Sequence, residues 1–191
     1  MRSIWLIFGC LLVLLLGVKL YPRQLVAELT ASRPTPSIPV ILVSERRPAA
    51  PARPTAEEAR RDSIVRFALR QLGIPYLYAG ISPVSGFDCS GFVYFVFSHF
   101  SVPTPHSTAL LIDVGRPVAR ADARPGDIVV FTGTAPTSTT PGHAGIVISA
   151  RGETPLRFVH ASSARRESGV KVSQVENSGY ERRFMQVRRV L

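Results

Sequence analysis

The sequence predicts an α+β fold with a mainly antiparallel sheet. Helix-type apolar patterns come first along the folded part of the chain, strand-type alternation follows as a block, and no repeat at a period of roughly 20 to 50 residues interleaves them. The 191 residues hold one domain with length to spare, and 46% apolar against 19% charged residues excludes a wholly disordered chain. Two cysteines cannot build a disulfide scaffold.

The first element is an apolar run from Ile4 to Val18, with Arg2 ahead of it and Lys19 behind. At about 1.5 Å per residue it reaches about 22 Å, short of a hydrocarbon core of about 30 Å, so residues 1–21 read as a membrane anchor or a signal peptide. Bulky residues from Val18 to Pro22 offer no small-side-chain cleavage site, which favours the anchor. Cys10 sits inside the run and reads as a small lipid-facing residue. Residues 22–56 follow as a spacer with Pro22, Pro34, Pro36, Pro39, Pro48, Pro51 and Pro54 interleaved with arginines; proline lacks the amide donor and disfavours helix before it.

A folded domain is expected over 57–191. Thr55-Ala56-Glu57-Glu58 is a capping-box pattern, with Ile64, Val65, Phe67, Ala68, Leu69 and Leu72 as the apolar face behind it and Gly73 as the stop. Gly80 to Gly86 reads as a loop into Asp88-Cys89-Ser90-Gly91. Phe92, Val93, Phe95, Val96, Phe97 and Phe100 then predict a buried central helix with Cys89 in its first turn. Free amides there favour thiolate, so the thiol is expected below its usual value of about 8.5. Strand patterns follow at Asp127–Phe131, Ala144–Ile148, Leu156–His160, Gly169–Val172 and Arg183–Val190.

The net charge of +10 divides evenly at residue 56. No basic-plus-aromatic stripe accompanies it, and Arg165/Arg166, Arg182/Arg183 and Arg188/Arg189 are dispersed, so solvated faces are expected and nucleic acid is not a partner. A lone Cys89 at a helix start, with His143 opening one strand and His160 ending another, is the arrangement of a thiol nucleophile, its general base and a group that orients the base. Zinc is the rival use, but one Cys with scattered His lacks the usual ligand spacing, and no metal or other cofactor is expected. His99 reads as a helix cap or surface residue, His106 as a solvent-facing loop residue, and Asp127, after Pro125-Gly126, as turn structure.

Five ordered blocks carry a family resemblance. They are Gly73-Ile74-Pro75-Tyr76-Leu77-Tyr78-Ala79-Gly80, Gly86-Phe87-Asp88-Cys89-Ser90-Gly91-Phe92-Val93, Pro125-Gly126-Asp127-Ile128-Val129-Val130-Phe131, Gly142-His143-Ala144-Gly145-Ile146-Val147-Ile148 and Phe158-Val159-His160-Ala161-Ser162-Ser163. Together they resemble the NlpC/P60 cysteine peptidases, over about residues 60 to 191. The resemblance implies a papain-like fold and, as substrate, the stem peptides of bacterial peptidoglycan. Cys89 matches the nucleophile, His143 the base and His160 the third polar residue. Tyr78 matches a tyrosine whose hydroxyl lies near the nucleophile. Asp88 and Ser90 stand where many members recognise a free amino group, although Asp88 also suits a helix cap. Ala79, Ala144 and Pro105-His106-Ser107-Thr108 depart from the common pattern, and the Thr132 to Gly142 loop is expected to shape the cleft.

The expected activity is cleavage of an amide in the stem peptide through a thioester acyl-enzyme. An amidase or acyltransferase on the same scaffold, or an inactive wall-binding module, are the alternatives. The expected place is the bacterial envelope, anchored in the inner membrane and facing the periplasm, or free in the periplasm if the segment is cleaved.

Overall fold

The structure is a computed structural model that describes residues 53–191. The expected anchor over 1–21, with Cys10, and the spacer up to residue 52 lie outside the described residues. No helix among the described residues is long and apolar enough to cross a membrane.

Helix α1 (Ala56–Leu69) opens on the expected capping box: the Thr55 hydroxyl accepts from the Glu58 amide at 3.2 Å, and the Glu58 carboxylate accepts from the Thr55 amide at 2.7 Å. Ile64, Phe67 and Ala68 form its buried face. The helix ends four residues before Gly73, and Leu72 is largely exposed. Gly73, at φ 83°, donates its amide to the Val170 carbonyl and ties this turn to the sheet.

The loop expected over 80–86 contains a small hairpin, β1 (Ile81–Ser82) with β2 (Gly86–Phe87), which delivers the chain to α2 (Cys89–His99). A Cβ on Gly91 would overlap the Gly80 carbonyl, so glycine is what lets this hairpin lie against the first turn of α2. Phe92, Val93, Val96 and Phe97 are buried. His99, in the last turn, stacks on Phe67 with ring centroids 4.0 Å apart, which joins α2 to α1.

After α3 (Thr108–Leu111) come β3 (Arg116–Val118), a 3-10 turn at Arg120–Asp122, β4 (Ile128–Thr132), β5 (Pro141–Val147), β6 (Arg157–Ser162), β7 (Gly169–Gln174), α4 (Gly179–Arg183) and β8 (Phe184–Arg189). The six larger strands form one antiparallel sheet in the order β3-β8-β4-β5-β6-β7. The period of two divides it into two apolar faces. Ile128, Val130, Ala144, Ile146, Val159 and Ala161 pack with α1 and α2. Val129, Phe131, Val147, Phe158 and Val187 form a second core on the other face, closed by Tyr180 and Phe184.

Asp127 does more than make a turn. Its carboxylate is fully buried and takes Arg61 from α1 at 3.2 Å, Arg189 from β8 at 2.7 Å and the Arg124 amide at 2.9 Å. Arg61 also donates to the carbonyl of Leu191 at 2.8 Å. One carboxylate thus fastens α1, the last strand and the chain end to the start of β4.

Candidate active site

Two features of the fold converge at the start of α2. The first is the cap: Asp88 accepts the Gly91 amide at 2.6 Å and the Ser90 hydroxyl at 3.1 Å, leaving Cys89 as the first helical residue. The second is a gap in the sheet. β5 and β6 pair only at Ile146↔Val159 and Val147↔Phe158, so the strands part where they carry His143 and His160. The Ala144 amide, without a partner on β6, is directed at the Cys89 sulfur.

His143 and His160 bridge that gap. Nε2 of His143 lies 2.8 Å from Nδ1 of His160, and Nε2 of His160 lies 2.9 Å from the Ser173 hydroxyl on β7. Tyr180 from α4 supports both rings, parallel to His143 at 5.7 Å and edge-on to His160 at 5.4 Å. The histidines are interior residues of their strands and not the termini expected, because β5 begins at Pro141 and β6 runs on to Ser162. Nδ1 of His143 makes no hydrogen bond among the described residues.

Burial dominates the electrostatics. It pushes both imidazoles far below the ordinary histidine range; for His160 the adjacent His143 ring, on which a second proton would be repelled, adds to burial, and the Lys171 and Arg183 cations reinforce it for both. The Cys89 thiol moves the other way, which corrects the expectation of a lowered value. Burial and the Asp88 charge raise it, against hydrogen bonds from Thr108, Ala144 and Ser90 that favour thiolate. The helix-start amides are in place, but they do not outweigh desolvation of the sulfur. The shifts accordingly favour the neutral forms of the thiol and of both imidazoles.

Thr108 is the side-chain partner of the sulfur, at 3.5 Å, and no hydrogen bond joins Cys89 to His143. His106, expected in solvent, lies with Nε2 3.1 Å from each carboxylate oxygen of Asp88. The segment from His106 to Thr108 therefore packs on Asp88 and on the thiol itself. Asp88 and Ser90, expected at a substrate amine, are engaged with one another as a cap, and Ser90 is buried.

Tyr78 is 86% exposed. The phenol that feels the site is Tyr76, whose ionisation is opposed first by burial and then by the charges of Cys89 and Asp88. Both tyrosines stand in one sequence block. The isolated bridge between Tyr76 and Phe87, two residues before Cys89, is what brings Tyr76 inward. Thr108, Ser173 and Tyr180 were also missed, since each reaches the site through a tertiary contact with no local pattern.

Among the described residues no group of three or more His, Cys, Asp or Glu side chains could hold a metal ion. One cavity, of about 540 Å³, opens between the first turn of α1 and Arg124, Pro125, Ala150 and Arg151, and presents neither thiol nor imidazole. The second, about 420 Å³, lies under the 132–142 loop beside Arg182 and Arg183.

Comparison with known proteins places this geometry. The NlpC/P60 family model matches residues 73–189, more than half of the chain. The chain belongs to the NlpC/P60 family. A Mycobacterium tuberculosis relative named "Probable endopeptidase" is 42% identical over 88 residues, 46% of this chain and 21% of that protein. The Escherichia coli murein DD-endopeptidase MepS/murein LD-carboxypeptidase is 36% identical over 120 residues, 62% of this chain and 57% of the relative. This chain thus spans from a fifth to just over half of those proteins. The crystal structure of an NlpC/P60 family protein from Bacillus cereus superposes with a TM-score of 0.59 at 24% identity, covering 69% of this chain and 40% of that one, and shows the shared α+β fold.

Proposed function

We propose that this NlpC/P60 chain is a cysteine endopeptidase that hydrolyses an amide in peptidoglycan stem peptides. The observation that carries the reading is the His143–His160–Ser173 relay, held where β5 and β6 part and beside a helix-start cysteine. The relatives named as endopeptidases, one of them acting on murein by name, support the substrate class.

The chemistry follows from the protonation states. Nε2–H of His143 donates to Nδ1 of His160, and Nε2–H of His160 donates to Ser173, which leaves Nδ1 of His143 as the free base. His143 removes the thiol proton as sulfur attacks the scissile carbonyl, so no thiolate is needed beforehand. The amides of Ser90 and Ala144 that face the sulfur are placed to favour the negative charge that develops there. His143 then returns the proton to the leaving amine, and water hydrolyses the thioester. His160 acts through His143, by fixing its tautomer.

The N-terminal segment is proposed to hold the catalytic unit in the cell envelope. Purified protein incubated with muropeptides is expected to release cleaved stem peptides, and Cys89→Ala and His143→Ala are expected to abolish release. Equal release by wild type and both variants would overturn the assignment.

A further inference from the structure

The cavity under the 132–142 loop has a composition that the proposed chemistry does not use. Its wall carries the guanidinium residues Arg182 and Arg183 and the hydroxyl residues Thr132, Thr134 and Ser138. The loop is held in shape: the Gly133 amide donates to the Thr140 carbonyl and to the Ser138 hydroxyl, both within 3.2 Å, and a Cβ on Gly142 would overlap Gly133. The cavity is therefore a formed wall and not a gap between strands.

Among the described residues Arg182 and Arg183 are not among the arginines that pair with a carboxylate. Arg61, Arg120, Arg151, Arg157 and Arg189 each pair with a carboxylate. Among the described residues the Arg182 side chain makes no ion pair or hydrogen bond, and Arg183 makes no ion pair: it donates to the Thr132 carbonyl and to the Tyr180 hydroxyl while lying over that ring. A lone exposed arginine is ordinarily solvated. Two on one side of a cavity, facing hydroxyl donors and no acid, form a site for a planar anion with two oxygens.

Its position ties it to the reaction centre. The Arg183 guanidinium carbon is 4.6 Å from the Tyr180 ring centroid, and that ring is 5.7 Å from the His143 ring. Three extended peptide residues, at about 3.5 Å each, span this path. We propose that the cavity is a carboxylate subsite of the peptide cleft, in which Arg182 and Arg183 hold an acidic group within three residues of the scissile amide. This rests on the peptidase reading and names the feature of the peptide that the enzyme selects. A carboxylate seated there also offsets the positive field of Arg183 on His143, so an acidic substrate favours the protonation that its own cleavage requires.

Binding separates this inference from the chemistry. The full-length Cys89→Ala protein is titrated calorimetrically with a stem peptide bearing free carboxylates and with the same peptide amidated at them. The acidic peptide is expected to bind about tenfold or more tightly, the range of a charge-assisted pair. Adding Arg182→Gln, a surface change that leaves the fold intact, is expected to erase most of that preference, and Arg183→Gln the same. A preference unchanged in both arginine variants, or equal binding of the two peptides, overturns the subsite while leaving the peptidase reading standing. Failure of both peptides to bind overturns the peptidase reading and the subsite with it. Inorganic phosphate displacing the acidic peptide at equal concentration would assign the cavity to phosphate and reject the carboxylate.

Discussion

Burial disfavours the charged forms of Cys89 and of the two histidines. The consequence is measurable on the thiol itself. Alkylation of Cys89 by iodoacetamide, followed against pH, is expected to rise through a midpoint above the free-thiol value of about 8.5; a midpoint near neutrality would mean that a thiolate is already present at rest. The base keeps to the same logic. With its value lowered, His143 stays unprotonated well below the ordinary histidine range of about 6.5, so the acid limb of a pH profile for kcat/KM, where it reports His143, is expected below that range. The residue types were legible from the sequence because a lone thiol with downstream histidines has few other uses. Their charge states were not, because the helix-start effect is local and visible in the chain, whereas desolvation depends on what packs around the sulfur.

At the scale of elements, the site exists because two adjacent strands separate at one end. Alternation identified β5 and β6 and set His143 and His160 on the chemistry. It could not show that their pairing stops at Ile146↔Val159, nor that Ser173 from β7 completes the relay. Ser173 lies opposite Phe158 and diagonal to His160, a relation set by register between strands that sequence spacing leaves open. Its hydroxyl holds the His160 ring in place and, in the proposed relay, the His143 ring through it. Ser173→Ala is expected to lower kcat about 10- to 100-fold with KM little changed, and Ser173→Thr to restore part of it. A change confined to KM would make Ser173 a substrate contact and remove it from the relay. The Tyr76/Tyr78 pair shows the same limit on a smaller scale: both lie in the quoted block, and the bridge to Phe87 is what turns Tyr76, half-buried, toward the Cys89 charge while Tyr78 stays exposed.

Across the whole domain, the fold class and the helix-then-strand order were readable from patterning, and the structure agrees with them. The fastening of that order was not. Asp127 sits after a Pro-Gly turn and looks local, yet it joins α1, β4, β8 and the carboxyl-terminal residue through Arg61 and Arg189. Those partners are more than sixty residues away in either direction, beyond any window in which periodicity operates. Asp127→Asn keeps the shape and takes the buried carboxylate from two guanidiniums, of which Arg61 keeps Glu57 and Arg189 keeps no other carboxylate among the described residues, so chemical denaturation is expected to show a loss of about 3 kcal/mol. A loss under about 1 kcal/mol would mean that the two arginines find water and that the cluster contributes little.

Cys89 is proposed to carry the peptide as a thioester between attack and hydrolysis. Mixing the protein with muropeptides, quenching in acid and taking the intact mass tests it most directly. The account predicts an added mass equal to the acyl portion of the cleaved peptide, mapped to Cys89 and absent from Cys89→Ala. Turnover of the peptide with no adduct on wild type, together with cleavage by Cys89→Ala, would contradict it.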